Sequence, residues 1–132
     1  MGRMRTPTAV NRHAAGEIQK QVANDLLTVY SDALKRMRAL SQSDPQAVTA
    51  KQAVAALREL RRWKKTIEKL QFDLLGASIL AGGTVSFITS DNERIGPRAS
   101  TLTRRLPHTP AGMIGREIVW DPSVEWNWRV VE

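Results

Sequence analysis

Ala53, Leu60, Ile67 and Leu74 recur at every seventh position, and Ala56, Trp63 and Leu70 fall between them as the interleaved set. Apolar residues at that spacing form one stripe only on an α-helix, and a stripe of such length needs another helix to cover it. A candidate for the covering helix stands upstream. Ile18, Val22, Leu26, Val29, Ala33, Met37 and Leu40 advance 22 residues in six steps, close to the period of one helix face. A first helix is therefore expected over 13–40. Glu17 and Asp25 lie toward its start and Lys35, Arg36 and Arg38 toward its end, which suits the helix dipole.

The run Ser41, Gln42, Ser43, Asp44, Pro45 breaks the pattern. Asp44 can cap a second helix with Pro45 in its first position, and Thr49 with Gln52 offers another start of capping-box type. A short connection between two amphipathic helices predicts an antiparallel hairpin, with Leu60 and Ile67 buried in the seam. Gly82 and Gly83 mark where the second helix must stop, and Gly76 is an earlier candidate.

Beyond Gly83 the period changes. Residues 84–89 are rich in β-formers, residues 90–93 read as a turn, and Arg94 with Ile95 begins a short return strand. Residues 96–115 hold Gly96, Pro97, Pro107, Pro110, Gly112 and Gly115, so an irregular, poorly packed loop is expected there. At the end, Val124, Trp126, Trp128 and Val130 alternate with Glu125, Asn127 and Arg129 as a strand does. Residues 117–120 form its hairpin partner, and Asp121, Pro122 and Ser123 form a turn. The expected fold class is α+β in one domain: a flexible basic arm over 1–12, a helical hairpin over 13–83, and a β-rich part over 84–132 that contains the loop.

Charge is spread unevenly over this plan. The net charge is +7, yet residues 117–132 carry one cation against four anions, while 45–75 carry seven cations against three anions. A basic body with an acidic tail suits an anionic partner, or a neighbour that meets the two ends head to tail. The chain has no cysteine, which excludes disulfides, thiolate nucleophiles and the usual structural zinc site. Its N-terminus lacks the apolar core of a signal peptide, and its most apolar stretch, 74–88, is too short to span a bilayer and is interrupted by three glycines. A cytoplasmic location, free or within a particle assembled there, is expected, with no membrane partner.

The sharpest binding candidate is a cationic stripe. Arg58, Arg61, Arg62, Lys65 and Lys69, with Lys51 before them, fall on the helix face opposite the seam. Such a stripe can track phosphates, although any soluble helix puts its charges on that side. Trp63 lies inside the basic run but at seam spacing, which reads as core. Arg104 and Arg105, with Arg98, add cations in the loop, and Arg3, Arg5 and Arg12 add them in the arm. Trp120, Trp126 and Trp128 are three of the four tryptophans, crowded on the C-terminal hairpin. They either close that hairpin onto its own helices or anchor a protein interface, and the reach of the preceding loop favours a neighbour, with Trp126 or Trp128 as the anchor.

Signs of chemistry are sparse. His13 and His108 are the only histidines and stand apart in the sequence. Glu117, Asp121 and Glu125 lie on strand and turn, where a spacing of four does not gather them. The run 112–115 lacks the setting of a phosphate loop. No cofactor, metal or small-molecule substrate is indicated.

In layout alone, a small helical body with basic arms and a β tail is similar to the small connector and neck proteins of tailed-phage particles. That resemblance implies a non-enzymatic protein docking into a multi-subunit complex, with its own copies or other subunits as partners. The other expectation is a nucleic-acid-binding protein that uses the basic helix face.

Overall fold

The computed structural model describes residues 6–85 and 104–132. The architecture is mostly helical with a small two-stranded antiparallel sheet, compatible with an α+β class. Four helices come first: α1 (Ala9–Ala33), α2 (Lys35–Gln42), α3 (Ala50–Arg62) and α4 (Lys64–Leu80). Two 3₁₀ turns, Leu106–His108 and Pro110–Met113, lead to β1 (Ile118–Trp120) and β2 (Trp128–Val130). By their contacts the residues fall into two compact units. One comprises Met1–Ala23 and Phe72–Glu132, the other Asn24–Gln71.

In the first unit, α1 starts earlier than its apolar period predicts, and residues 9–12 are helical rather than part of an arm. The reason is a reciprocal cap. The Asn11 amide donates to Thr8 Oγ1 at 3.0 Å, and the Thr8 amide donates to Asn11 Oδ1 at 3.1 Å. The buried face then continues through Ala14, Ala15, Ile18 and Val22. Gly76 does not end α4. The helix runs on to a C-terminal lock in which the Gly82 amide donates to the Ile79 carbonyl and the Gly83 amide to the Ser78 carbonyl. Gly82 takes φ +113°, the left-handed conformation this motif requires.

The expected irregular, poorly packed loop is corrected where it is described. Arg104 and Arg105 are helical, and the two 3₁₀ turns follow. Leu106, Thr109, Pro110, Ala111 and Met113 are buried. Proline and glycine forbid long elements but permit tight turns, and Thr109 joins the two turns here. Its hydroxyl donates to the Leu106 carbonyl at 2.7 Å and accepts from the Ala111 amide at 3.2 Å. Ile79, Leu106 and Ala111 form a core cluster, with Phe72, Leu75, Val85 and Ile114 packed against it. The expected strand over 84–89 is described only at Thr84 and Val85, where Val85 is helical, and its turn and return strand lie outside the described residues.

The C-terminal hairpin is shorter than the alternation predicts. β1 and β2 pair Ile118 with Val130, Val119 with Arg129 and Trp120 with Trp128. Val124 and Trp126 belong to the connecting turns and not to the strand. The Val124 amide donates to the Asp121 carbonyl, the Asn127 amide to the Val124 carbonyl, and Asn127 takes φ 63°. Asn127 is the residue type that tolerates that conformation, and it ends the turn where β2 begins. Asp121 fixes the turn's other end, accepting from the Ser123 amide (2.9 Å), the Ser123 hydroxyl (2.6 Å) and Arg129 Nε (2.8 Å). These bonds from Ser123, then from Arg129, hold the Asp121 carboxyl below the usual aspartate range. The ionised form is therefore the one the hairpin favours. Its contribution should be full above the unfolded pKa of about 4 and should fade as pH drops through the lower folded value. In an NMR titration, the Ser123 amide shift should move on that acid limb in the parent and stay flat in Asp121→Asn.

In the second unit, α2 lies against α3. Residues 45–47 form a turn, with Asp44 Oδ1 accepting from the Gln46 amide, so Pro45 does not open the helix. α3 instead begins after Thr49, whose side chain and that of Gln52 cap each other. Arg36 Nε meets Glu59 Oε2 at 2.7 Å, and Gln71 Nε2 donates to the Tyr30 hydroxyl at 3.4 Å. Partners thus advance along α1 and α2 as they retreat along α3 and α4. The helices break at Leu34 and Trp63, and both breaks fall between those two links. Seam positions Ala53, Leu60, Trp63, Ile67 and Leu70 are half-buried, as are Leu26, Val29, Met37 and Leu40 opposite, and only Ala33 and Ala56 are fully buried. Leu60 and Ile67 are therefore not the closed core positions their spacing predicts, because a single pair of helices leaves its seam open to water at the edges.

Candidate functional site

The basic face is built on α3 and α4. With Ala53, Ala56, Leu60, Trp63, Ile67 and Leu70 turned toward the seam, the 3.6-residue period sends Arg58, Arg61, Arg62, Lys65 and Lys69 to the opposite side. All five are exposed, as is Lys51. Arg58, Arg61, Arg62 and Lys65 have no ion-pair partner among the described residues. Glu59, the anion nearest in sequence, turns away to Arg36, and its side chain is only 14% exposed. Glu59 therefore does little to cancel the charge of Arg58, Arg61, Arg62 and Lys65. Its chemistry is that of several donors at one-turn intervals, each able to reach an anionic oxygen.

The loop cations belong to the other unit. Arg105 places its guanidinium 4.3 Å from the centroid of the Phe72 ring, a cation–π contact, so it serves the packing of its own turn on α4. Arg104 is exposed. Arg12 lies on α1, exposed, while Arg3, Arg5 and Arg98 lie outside the described residues.

The three hairpin tryptophans part company. Trp128 donates from Nε1 to Glu17 Oε2 at 2.9 Å and meets the His13 ring edge-on at a centroid distance of 6.1 Å. Glu17 also faces His13 Nε2 at 3.5 Å. One turn further along α1, Gln21 donates to the Glu125 carbonyl at 3.2 Å and accepts from Asn127 at 3.4 Å. His13, Glu17 and Gln21 are thus a polar ladder at four-residue intervals that receives the hairpin on the chain's own helix. Glu17 and Gln21 are missed by sequence reasoning: their spacing puts them on one face, but nothing local names a partner more than a hundred residues away. Trp126 is half-buried in the turn. Trp120 differs from both. It shares a sheet face with buried Ile118 and with Trp128, yet it is 59% exposed.

His13 is drawn into the hairpin dock, and His108 is exposed on a 3₁₀ turn. Among the described residues, no group of three or more His, Cys, Asp or Glu side chains could hold a metal ion. Among the same residues, no helix is long and apolar enough to cross a membrane. No protein-family model matches the chain, and no curated protein and no solved structure is similar to it.

Proposed function

We propose that this chain is a non-enzymatic assembly protein, built on an antiparallel helical hairpin, that docks as a subunit into a larger protein complex. The observation that carries this reading is Trp120. Trp128 and the polar ladder on α1 hold the hairpin to its own unit, and this second tryptophan is left 59% in water on the same sheet face. A large aromatic side chain displayed on an ordered hairpin costs little entropy to bury and dominates protein interfaces. A connector or neck-type position in a virion is one setting for such a subunit. The tagged protein, gently released from cells that make it, should sediment in a complex well above the 14.7 kDa of one chain. Trp120→Ala should shift it to lower mass with its helix content unchanged. A parent that sediments as a monomer in that extract would contradict the reading.

A second reading has its own observation: Arg58, Arg61, Arg62 and Lys65 are exposed and free of ion pairs among the described residues. A nucleic-acid backbone is the anion such a face would track. The quadruple replacement of Arg58, Arg62, Lys65 and Lys69 by Gln should then abolish retention on immobilised DNA or RNA at low salt. Helicity should persist, since glutamine is a good helix former. In the parent, binding should fall steeply with salt. Equal retention of parent and variant would remove the stripe from consideration.

A further inference from the structure

We propose that the acidic C-terminal hairpin of one copy docks head to tail on the basic helical unit of a second copy, with Trp120 seated in a groove over Leu60 and Ile67. This rests on the reading that Trp120 anchors an interface, and it names the partner and the surface that receives it. The groove lies open on α3 and α4 and is lined by Leu60, Arg61, Lys64, Ile67, Glu68 and Gln71. Leu60 and Ile67 are its apolar members, and Leu57, one turn before Leu60 and Arg61, stands 53% exposed. Of the polar members, Glu68 already has an interaction within the chain and Gln71 donates to Tyr30. Arg61 and Lys64 are exposed and have no ion pair among the described residues. An apolar floor with two available cations beside it suits an apolar side chain carried on an acidic element.

The hairpin of this same chain has that make-up. Residues 117–132 hold four carboxylates and a single cation, Arg129. Arg129 is taken by Asp121 at 2.8 Å, so Glu117, Glu125 and Glu132 carry the segment's net charge of −3, and all three are exposed. Trp120 stands among them in the sequence, 59% exposed. The receiving unit has the opposite sign, since residues 45–75 carry seven cations against three anions. Two hairpins repel each other, as do two basic helical faces, so only the unlike pairing is drawn together. Every copy carries both surfaces. The contact is therefore heterologous and passes from subunit to subunit, closing into a ring or running as a filament.

Sedimentation of the purified, nuclease-treated full chain tests it. In dilute solution the chain should be the 14.7 kDa monomer, with Trp120 in water. Its mass should climb beyond that of a dimer as concentration rises, and less so at high salt. Trp120→Ala removes the anchor, and Arg61→Glu combined with Lys64→Glu removes the receiving cations. Each variant should self-associate about tenfold or more weakly. Helicity by circular dichroism should not change, because all three side chains already meet water. An equal mixture of the two variants should associate again but stop at the dimer, since it holds one intact hairpin surface and one intact groove. Recovery on mixing cannot come from a contact within one chain. A parent that stays monomeric at every concentration, a mixture that does not recover, or assembly that requires nucleic acid overturns the proposal. A purified parent that stays monomeric yet sits in a large complex in extract overturns this contact and leaves the assembly reading standing. A monomer in both overturns both.

Discussion

Asn11→Leu should lower the free energy of unfolding by about 2–5 kcal/mol, a large share of what a small domain holds. Asn11 is fully buried, at 0% exposure, and its side chain joins both ends of the first unit. Oδ1 accepts from the Gly115 amide at 2.7 Å as well as from the Thr8 amide, and Nδ2 donates to the Arg116 carbonyl at 3.1 Å. Leucine has the same branched skeleton, with bulkier methyl groups, and can do none of this. The substitution leaves the shape in place but strands a cap at the start of α1 and two backbone groups just before β1. Each buried group left unsatisfied costs about 1–3 kcal/mol. Hydrogen exchange should report the same event locally, with the Gly115 amide losing protection first. A thermal melt unmoved by Asn11→Leu would show that the two ends are held by something else.

The second large effect concerns Gly76. Alanine in mid-helix is ordinarily better than glycine by about 1 kcal/mol, so a helix seen alone would gain from Gly76→Ala. The packing reverses the sign. A Cβ at this position would fall 2.5 Å from Thr109 Cβ and 3.3 Å from the Ala111 amide nitrogen, and Thr109 is buried at the joint of the two 3₁₀ turns. The joint at Thr109 must move, which loosens Leu106 and Ala111 from Ile79. Overpacking of this kind costs about 1–3 kcal/mol net, and Gly76→Leu should cost more. A double-mutant cycle isolates the contact. Thr109→Gly removes the opposing Cβ, so adding Gly76→Ala to it should cost clearly less than adding Gly76→Ala to the parent. Equal costs in both backgrounds would place the α4 contact elsewhere.

How far the sequence could be read depended on whether each signal is local. The face from Ile18 to Leu40 was legible because a helix period involves only neighbours in the same helix, and these positions are buried or half-buried as expected. The Thr49 and Gln52 cap was legible for the same reason, although Asp44 and Pro45 competed with it. The start of β2 was not. Alternation placed Val124 and Trp126 in a strand, and one asparagine in the left-handed region was enough to turn them out of it. Proline and glycine in residues 96–115 spoke against long elements, yet composition cannot report that Thr109 and Gly76 let two short turns pack closely on α4. Of the candidate surfaces, the basic stripe could be located because the seam fixes its opposite side. The diversion of Glu59 to Arg36, across a turn, could not. The fate of the tryptophans depended on Glu17, which lies 111 residues from Trp128 and carries no mark of its role.

On the assembly reading proposed above, Trp120 is the side chain that a protein partner buries. Hydroxyl-radical footprinting measures this directly, by comparing the purified chain with the complex isolated from cells that make it. In the purified chain, Trp120 should oxidise faster than Trp63, Trp126 or Trp128, since it is the only one of the four exposed. In the complex its rate should fall by about tenfold, as for an interface anchor that water no longer reaches, while Trp128, already held on α1, should change little. An unchanged Trp120 rate in an intact complex would contradict a role for Trp120 as the interface anchor.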